Sequence, residues 1–218
     1  MRSDQAVKPP AEARTFTETA RRAQIVAAAI DTIADLGYPQ ASLARIAERI
    51  GVSKGVISYH FAGKEELVQE VISDVIAKAV AYVRPRVEEE PTGRGKLRAA
   101  IESNIAFMGE YRTQMIAFFE IATSTRSGSA PHPAVARMLQ GSAASLRELL
   151  ASYQADGEFR GDFDPQVMAA AIRAAIDAVP RRMAVDPGFD TGHFARELAD
   201  LFDVATRSET RPQERRRG

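Results

Sequence analysis

The sequence contains no cysteine in its 218 residues. That excludes a disulfide framework, a thiolate metal site and a cysteine nucleophile, and it suits a reducing compartment. It carries no formal net charge at neutral pH. A general electrostatic pull toward nucleic acid is therefore absent, and any DNA contact has to come from a local patch. No apolar run approaches the roughly 20 residues needed to span a bilayer, so no membrane partner is expected. The opening stretch MRSDQAVKPPAEARTFTETA lacks the apolar core of a secretory signal, which predicts a cytoplasmic protein. No segment alternates as a half-buried strand would, and no internal repeat is visible. What is present is a hydrophobic fraction of 45%, ample for a real core.

Catalytic and metal-binding signatures are also lacking. His60, His132 and His193 lie far apart, with no metal-ligand spacing. No phosphate-binding loop, nucleophile elbow or zincin motif occurs. Asp162 and Asp164 flank Phe163 in the manner of turn and capping residues. The reading is a protein that is not an enzyme and has no cofactor and no metal.

The helical period dominates the chain, and an all-α protein of about nine helices is predicted. Residues 1–16, with Pro9-Pro10, read as a flexible arm. Val26, Ile30, Ile33 and Ala34 share one face of a first helix, which Gly37 stops. Leu43, Ile46, Ala47 and Ile50 make a short second helix capped by Ser42. Gly51-Val52 breaks the chain, Ser53 caps a third helix to about His60, and Gly63 breaks it again. Lys64 opens a long fourth helix carrying Leu67, Val71, Val75 and Ala79, which Pro85 is expected to end or bend. After the turn at Pro91-Thr92-Gly93, helices are predicted over 94–109, 112–125, 133–155, 164–185 and 190–207. SGSAPHP (127–133) and 156–162 read as loops, Asp164-Pro165 as a helix start. Residues 208–218 read as a disordered tail; its Arg215-Arg216-Arg217 run could add nonspecific DNA affinity or be a solvated terminus.

The run LARIAERIGVSKGVISYHF, residues 43–61, meets each requirement of two short helices crossing at a tight turn. Leu43, Ile46 and Ile50 give the first helix a buried face. Ala47 is small where the second helix crosses, and Gly51 can take a left-handed turn without steric cost. Val52 plugs the core, and Ile57 anchors the second helix. The outward face then holds Ser53, Lys54, Gly55, Val56, Ser58, Tyr59 and His60. Hydroxyls, a cation and an imidazole suit phosphate and base-edge hydrogen bonds. Gly55 costs a helix about 1 kcal/mol relative to alanine, and close approach to another surface is a reason to accept that. Helix starts at Ser42, Ser53 and Lys64 offer free N–H groups, and Arg45, Arg49, Lys54 and Lys64 outnumber Glu48.

The run IAERIGVSKGVISYHFAGKEELV closely resembles the DNA-binding domain of the TetR family of bacterial regulators, over roughly residues 17–76 with the helix-turn-helix at 41–60. The resemblance implies phosphate contacts from Lys54, Tyr59, His60 and Lys64. It implies backbone positioning by Ser42 and Ser53, and base contacts from Gly55, Val56 and Ser58. Ser58 departs from the family pattern, where many members carry tyrosine. A helical ligand-binding and dimerisation domain over 77–207 is implied as well. Phe194, Leu198, Leu201, Phe202 and Ala205 form a stripe that suits a homodimer interface or, equally by periodicity, an internal core. Phe107, Met108, Tyr111, Met115, Phe119, Ile172, Arg173 and Ile176 are candidates for the wall of an effector pocket, methionine and aromatics being adaptable apolar lining. Arg173 could meet an anionic group or serve as a salt-bridge partner. The implied partners are double-stranded operator DNA, a small-molecule effector of unknown identity and a second copy of the chain. The implied function is a DNA-binding transcriptional regulator, a repressor released from a palindromic operator by its ligand. The alternatives are an effector-independent activator or architectural DNA-binding protein, and an all-helical enzyme.

Overall fold

A computed structural model describes residues 11–124 and 133–208, with side chains from residue 17 onward. The described residues form ten helices: α1 (Ala11–Leu36), α2 (Leu43–Arg49), α3 (Lys54–His60), α4 (Lys64–Glu88), α5 (Gly93–Glu110), α6 (Arg112–Thr123), α7 (Pro133–Ala155), α8 (Pro165–Asp177), α9 (Val179–Val185) and α10 (Thr191–Thr206). The only β pairing among them is an isolated bridge between Phe159 and Arg207. The protein is all-α, as its periodicity predicts.

The first four helices enclose a small core. α1 contributes Ile25, Ala29, Ile30 and Ile33, each nearly or wholly inaccessible. Its end is set by Gly37, whose φ of 79° lets the N–H reach the Ile33 carbonyl at 2.9 Å. α2 adds Ile46 and Ala47, α3 adds Ile57, and the start of α4 adds Leu67, Val68, Val71 and Ile72. Phe61, between α3 and α4, is almost fully buried beneath them. The burial of these apolar side chains is what holds two seven-residue helices that would not persist alone.

α4 then leaves this group and becomes a wall of the second. α5 packs between α4 and α10, α6 packs on α1, and α7 packs on α8. Leu97, Ile101 and Ile105 of α5 are central to this core. At its surface Arg94 grips Asp203 of α10 by two hydrogen bonds of 2.7 Å. The expected boundary between residues 76 and 77 falls inside the uninterrupted α4. The two helical groups therefore share a rigid element.

Three expectations about element ends change. α1 starts at Ala11, inside the segment expected to be an arm, because residues 11–16 continue a helix already favoured downstream; residues 1–10 lie outside the described part. Pro85 does not end α4, which runs on to Glu88. The carbonyl that loses its partner belongs to exposed Ala81 and is open to water. The helix expected over 164–185 is two, α8 and α9, divided at Ala178. Pro180 has no N–H for the Ile176 carbonyl, so the ladder breaks there. The loop expected at 127–133 (except Pro133), and the tail from 209 onward, also lie outside the described residues. No helix among the described residues is long and apolar enough to cross a membrane.

Candidate nucleic-acid interface

The turn between α2 and α3 is built as the sequence requires. Ser42 caps α2, its hydroxyl accepting from the Arg45 N–H at 3.3 Å. Gly51 has φ of 66°, a conformation that costs side-chain-bearing residues. It lets the Val52 N–H reach the Ala47 carbonyl at 3.0 Å. Val52 is half-buried against the core. Ile57, fully buried, pins the middle of α3. Ser53 stands at the cap position of α3, but its side chain makes no capping hydrogen bond. Its hydroxyl is therefore not committed to the helix end.

With Ile57 inward, Ser53, Lys54, Gly55, Ser58 and Tyr59 are exposed on the other side of α3. Val56 and His60 are half-buried at its edges. Tyr59 is 78% exposed, unusual for an aromatic with no function at the surface. Its ring meets that of His60 edge-on at 5.1 Å. The His60 Nδ1 atom is buried and has no hydrogen-bond partner among the described residues. Gly55 has no intramolecular reason to be glycine. A Cβ there would lie 3.5 Å from the Ser53 hydroxyl, an ordinary contact, and its φ is unexceptional.

The basic patch is smaller than the residue types suggest. Arg49 is paired with Asp35 of α1. Lys64 donates to the Tyr38 carbonyl at 2.6 Å, and its ammonium lies 4.1 Å from the centre of the Tyr38 ring. Burial lowers the Lys64 pKa from its ordinary value. An ammonium has three donors, so two remain for an outside acceptor. Lys54 and Arg45 have no partner among the described residues and are exposed. These two are the free cations beside α3.

The candidate effector residues gather around α5, α6 and α8. Phe107, Met108, Met115, Ile172 and Ile176 are buried, while Tyr111 and Phe119 are half-buried. Phe107 and Tyr111 stack at 4.6 Å, and Tyr82 of α4 closes on both at 5.7 and 6.2 Å. Arg173 pairs with Asp177 one turn along α8, and its Nε is buried with no hydrogen bond among the described residues. Burial raises the Asp177 pKa from its ordinary value, against the opposing pull of Arg173. Two concavities of the surface lie elsewhere. One of about 410 Å³ runs along Arg22, Val26, Ile30, Glu70 and Asp74. The other, of about 340 Å³, lies at Arg94, Arg98, Glu158 and Asp203. No candidate effector residue lines either. In this conformation the candidate residues are packed against one another and their neighbours.

The stripe on α10 divides. Leu198 and Phe202 are buried within the chain, Phe194 and Ala205 are half-buried, and Leu201 is 61% exposed. Val204 next to it is 57% exposed. On α8, Val167, Ala170, Ala171 and Ala174 are exposed at helical spacing. The exposed apolar positions, rather than the whole stripe, are available to a partner. Sequence reasoning missed Arg22 and Tyr38, which touch the end of α3 and the start of α4 from far along the chain. It also missed Tyr82, which continues the Val71-Val75-Ala79 row and could have been read from it.

Comparison with known proteins agrees with this architecture. Residues 25–71 match the family model described as bacterial regulatory proteins, tetR family. The HTH-type transcriptional regulator BetI 1 of Chromohalobacter salexigens is 40% identical over 87 residues, 38% of this chain and 42% of that protein. The match thus spans under half the length of that curated relative. Two solved structures show the same fold throughout. Transcriptional regulator FadR from Bacillus subtilis, in complex with stearoyl-CoA, has a TM-score of 0.69 at 23% identity, covering 82% of this chain and 96% of that one. AibR, in complex with isovaleryl coenzyme A and operator DNA, has a TM-score of 0.69 at 19% identity, covering 83% and 97%. With its α2–turn–α3 unit and this match across α1 to α4, the chain carries an N-terminal domain of the kind found in bacterial regulatory proteins of the tetR family.

Proposed function

We propose that the protein is a cytoplasmic, homodimeric transcriptional regulator that binds operator DNA through α3 and is released by a small-molecule ligand. Residues 17–76 are the DNA-binding unit and 77–207 the ligand-binding and dimerisation unit. The observation that carries this reading is the outward face of α3. It is anchored by one buried isoleucine, and it presents Gly55 together with Lys54, Ser58 and Tyr59, whose side chains make no hydrogen bond or ion pair among the described residues. Lys54, Tyr59, His60 and Lys64 are assigned to phosphates, Ser42 and Ser53 to positioning, and Gly55, Val56 and Ser58 to base edges. The buried Nδ1 of His60 gains its missing partner if a phosphate oxygen or water meets the protonated atom there.

A dimer reads two half-sites about 34–36 Å apart, one turn of B-DNA. A ligand that favours another spacing of the two α3 helices releases the DNA, to the extent of its differential affinity for the two forms. Because α4 runs from the α3 turn to the Tyr82-Phe107-Tyr111 cluster, a ligand opening that cluster moves the helix that carries α3. Two proteins of the same fold carry coenzyme A thioesters, which makes thioesters the first compounds to try.

The test is fluorescence anisotropy at two salt concentrations with a duplex selected from a random library, against scrambled DNA. Saturable binding of two chains per selected palindrome supports the regulator. Release by isovaleryl- or stearoyl-CoA supports the thioester class. Failure to select any sequence would sink the DNA reading. Selective binding that no thioester disturbs would leave DNA binding in place and remove this ligand class.

A further inference from the structure

We propose that Arg22 is a positioning residue for DNA recognition, clamping the carboxyl end of α3 to α1 and to the first turns of α4. The inference rests on the reading of α3 as the recognition helix.

The guanidinium makes four contacts, two with the segment that ends α3 and two with α4. Its Nη1 donates to the carbonyl of His60, the last residue of that helix. Its plane covers the Phe61 ring at 4.2 Å. Its Nη2 lies 3.7 Å from Glu66 and 3.6 Å from Glu70, both on α4. Glu66 completes the clamp from the other side, its carboxylate accepting from the Ala62 N–H at 2.7 Å. The turn from His60 to Glu66 is thereby held between an arginine of α1 and a glutamate of α4.

Such a clamp has a specific task here. The last four carbonyls of a helix lack partners within it, and in a helix of seven residues they are more than half the total. Ile57 fixes the middle of α3 but leaves rotation about that point to be controlled at its ends. Ser53 gives no side-chain cap at the start, so control falls on the carboxyl end. Tyr59 and His60 sit where Arg22 acts. The ion pairs at this separation, half in water, contribute little alone. The charge-assisted bond to a carbonyl and the cover over Phe61 carry most of the constraint.

Base-edge hydrogen bonds weaken steeply with angle, whereas phosphate contacts tolerate small errors of placement. Loss of the clamp should therefore harm selective binding more than general DNA affinity. That is the signature that separates positioning from a merely structural contribution.

The experiment compares wild type with Arg22→Ala, Arg22→Gln and Arg22→Lys, at a temperature where each is folded by circular dichroism. Two quantities are read: affinity for the library-selected duplex relative to scrambled duplex, and amide hydrogen exchange along the full chain. Arg22→Ala is expected to lower the affinity ratio about tenfold, the equivalent of one charged hydrogen bond, and to speed exchange at residues 58–61 but not in α5. Arg22→Lys, which keeps a cation and a donor, should recover part of both losses. If Arg22→Ala does not fold, Arg22→Gln, which keeps an N–H donor without the charge or the flat fork, takes its place. An unchanged ratio in folded variants, with unchanged exchange at 58–61, would overturn the proposal. If no duplex is selected, the regulator reading fails, and the exchange data alone decide whether Arg22 holds α3.

Discussion

Gly55 is the residue whose burden is easiest to see and to test. It sits in a helix, is exposed, and has room for a Cβ. Gly55→Ala should therefore stabilise the protein by up to about 1 kcal/mol, read as a higher midpoint in thermal or urea unfolding. The same change puts a methyl group on the face assigned to DNA, and affinity for the selected duplex should fall. A variant that is both more stable and equally tight would show that this face does not approach DNA closely. Lys54→Ala tests the neighbouring position. One phosphate contact fewer should weaken binding to all sequences alike and reduce the slope of log K against log salt by about one. Ser58→Ala should leave that slope alone and blur discrimination at one or two base pairs; an unchanged base preference would remove Ser58 from the reading set. At this scale the sequence was informative where a residue's task is local. The turn glycine, the small Ala47 and the anchoring Ile57 each answer a demand set by neighbours a few positions away. Lys64, held by Tyr38, and Arg22, held by His60, depend on partners 26 and 38 positions away, which no local pattern announces.

Helices were legible because apolar residues recur at their period, and α2, α3 and α10 differ little from expectation. The misjudged ends all involve local signals that tertiary context overrode or sharpened. Pro85 lies where its orphaned carbonyl meets water, so α4 continues, whereas Pro180 interrupts a helix whose next turn is buried at Val179 and Met183. Beyond the α2–α3 crossing, contacts between elements were not legible, and the clearest is Arg94 with Asp203, joining α5 to α10. The Arg94 guanidinium, by hydrogen bonding first and charge second, holds the Asp203 carboxyl below its ordinary pKa. A lowered folded-state value means that the carboxylate's contribution is present above the unfolded pKa and lost as pH falls through the folded one. Asp203→Asn should thus cost about 0.5–1 kcal/mol at neutral pH, the modest range of a pair at the surface with one partner half-exposed. The gap between variant and wild type should hold above pH about 5, narrow as pH falls through about 4, and vanish only below the lowered folded-state value. Urea unfolding across that range checks it. A gap that does not change with pH would mean that packing, not charge, makes Asp203 matter.

For the whole molecule, the decisive question under the proposed homodimer is which apolar surface would face a second copy. A periodic stripe on α10 could not answer it, because one helix often has one face for its own core and another for a partner. The structure shows which of these residues serve the chain's own core and which stay exposed. Leu198 and Phe202 are buried within the chain, whereas Leu201 and Val204 stand in solvent beside them in sequence, and Val167 is exposed on α8. Exposed aliphatic side chains occur singly on any surface, but several together on α8 and α10 favour an interface. Two substitutions then have opposite consequences. Leu198→Ala opens a cavity inside the subunit and should lower stability by about 2–5 kcal/mol, with the oligomeric state of the folded fraction unchanged. Leu201→Glu loses nothing internal, so the subunit should stay folded, but a charge buried at a self-complementary interface is met by its own symmetry mate or its surroundings without compensation. Sedimentation velocity should show that variant as a monomer at concentrations where the wild type is a dimer. Operator affinity should fall with it, since one subunit engages one half-site and loses the second as an intramolecular event. A Leu201→Glu protein that remains dimeric would place the interface elsewhere. One that is monomeric yet binds the selected palindrome as tightly as the wild type would show that α3 reads its half-site without help from a partner.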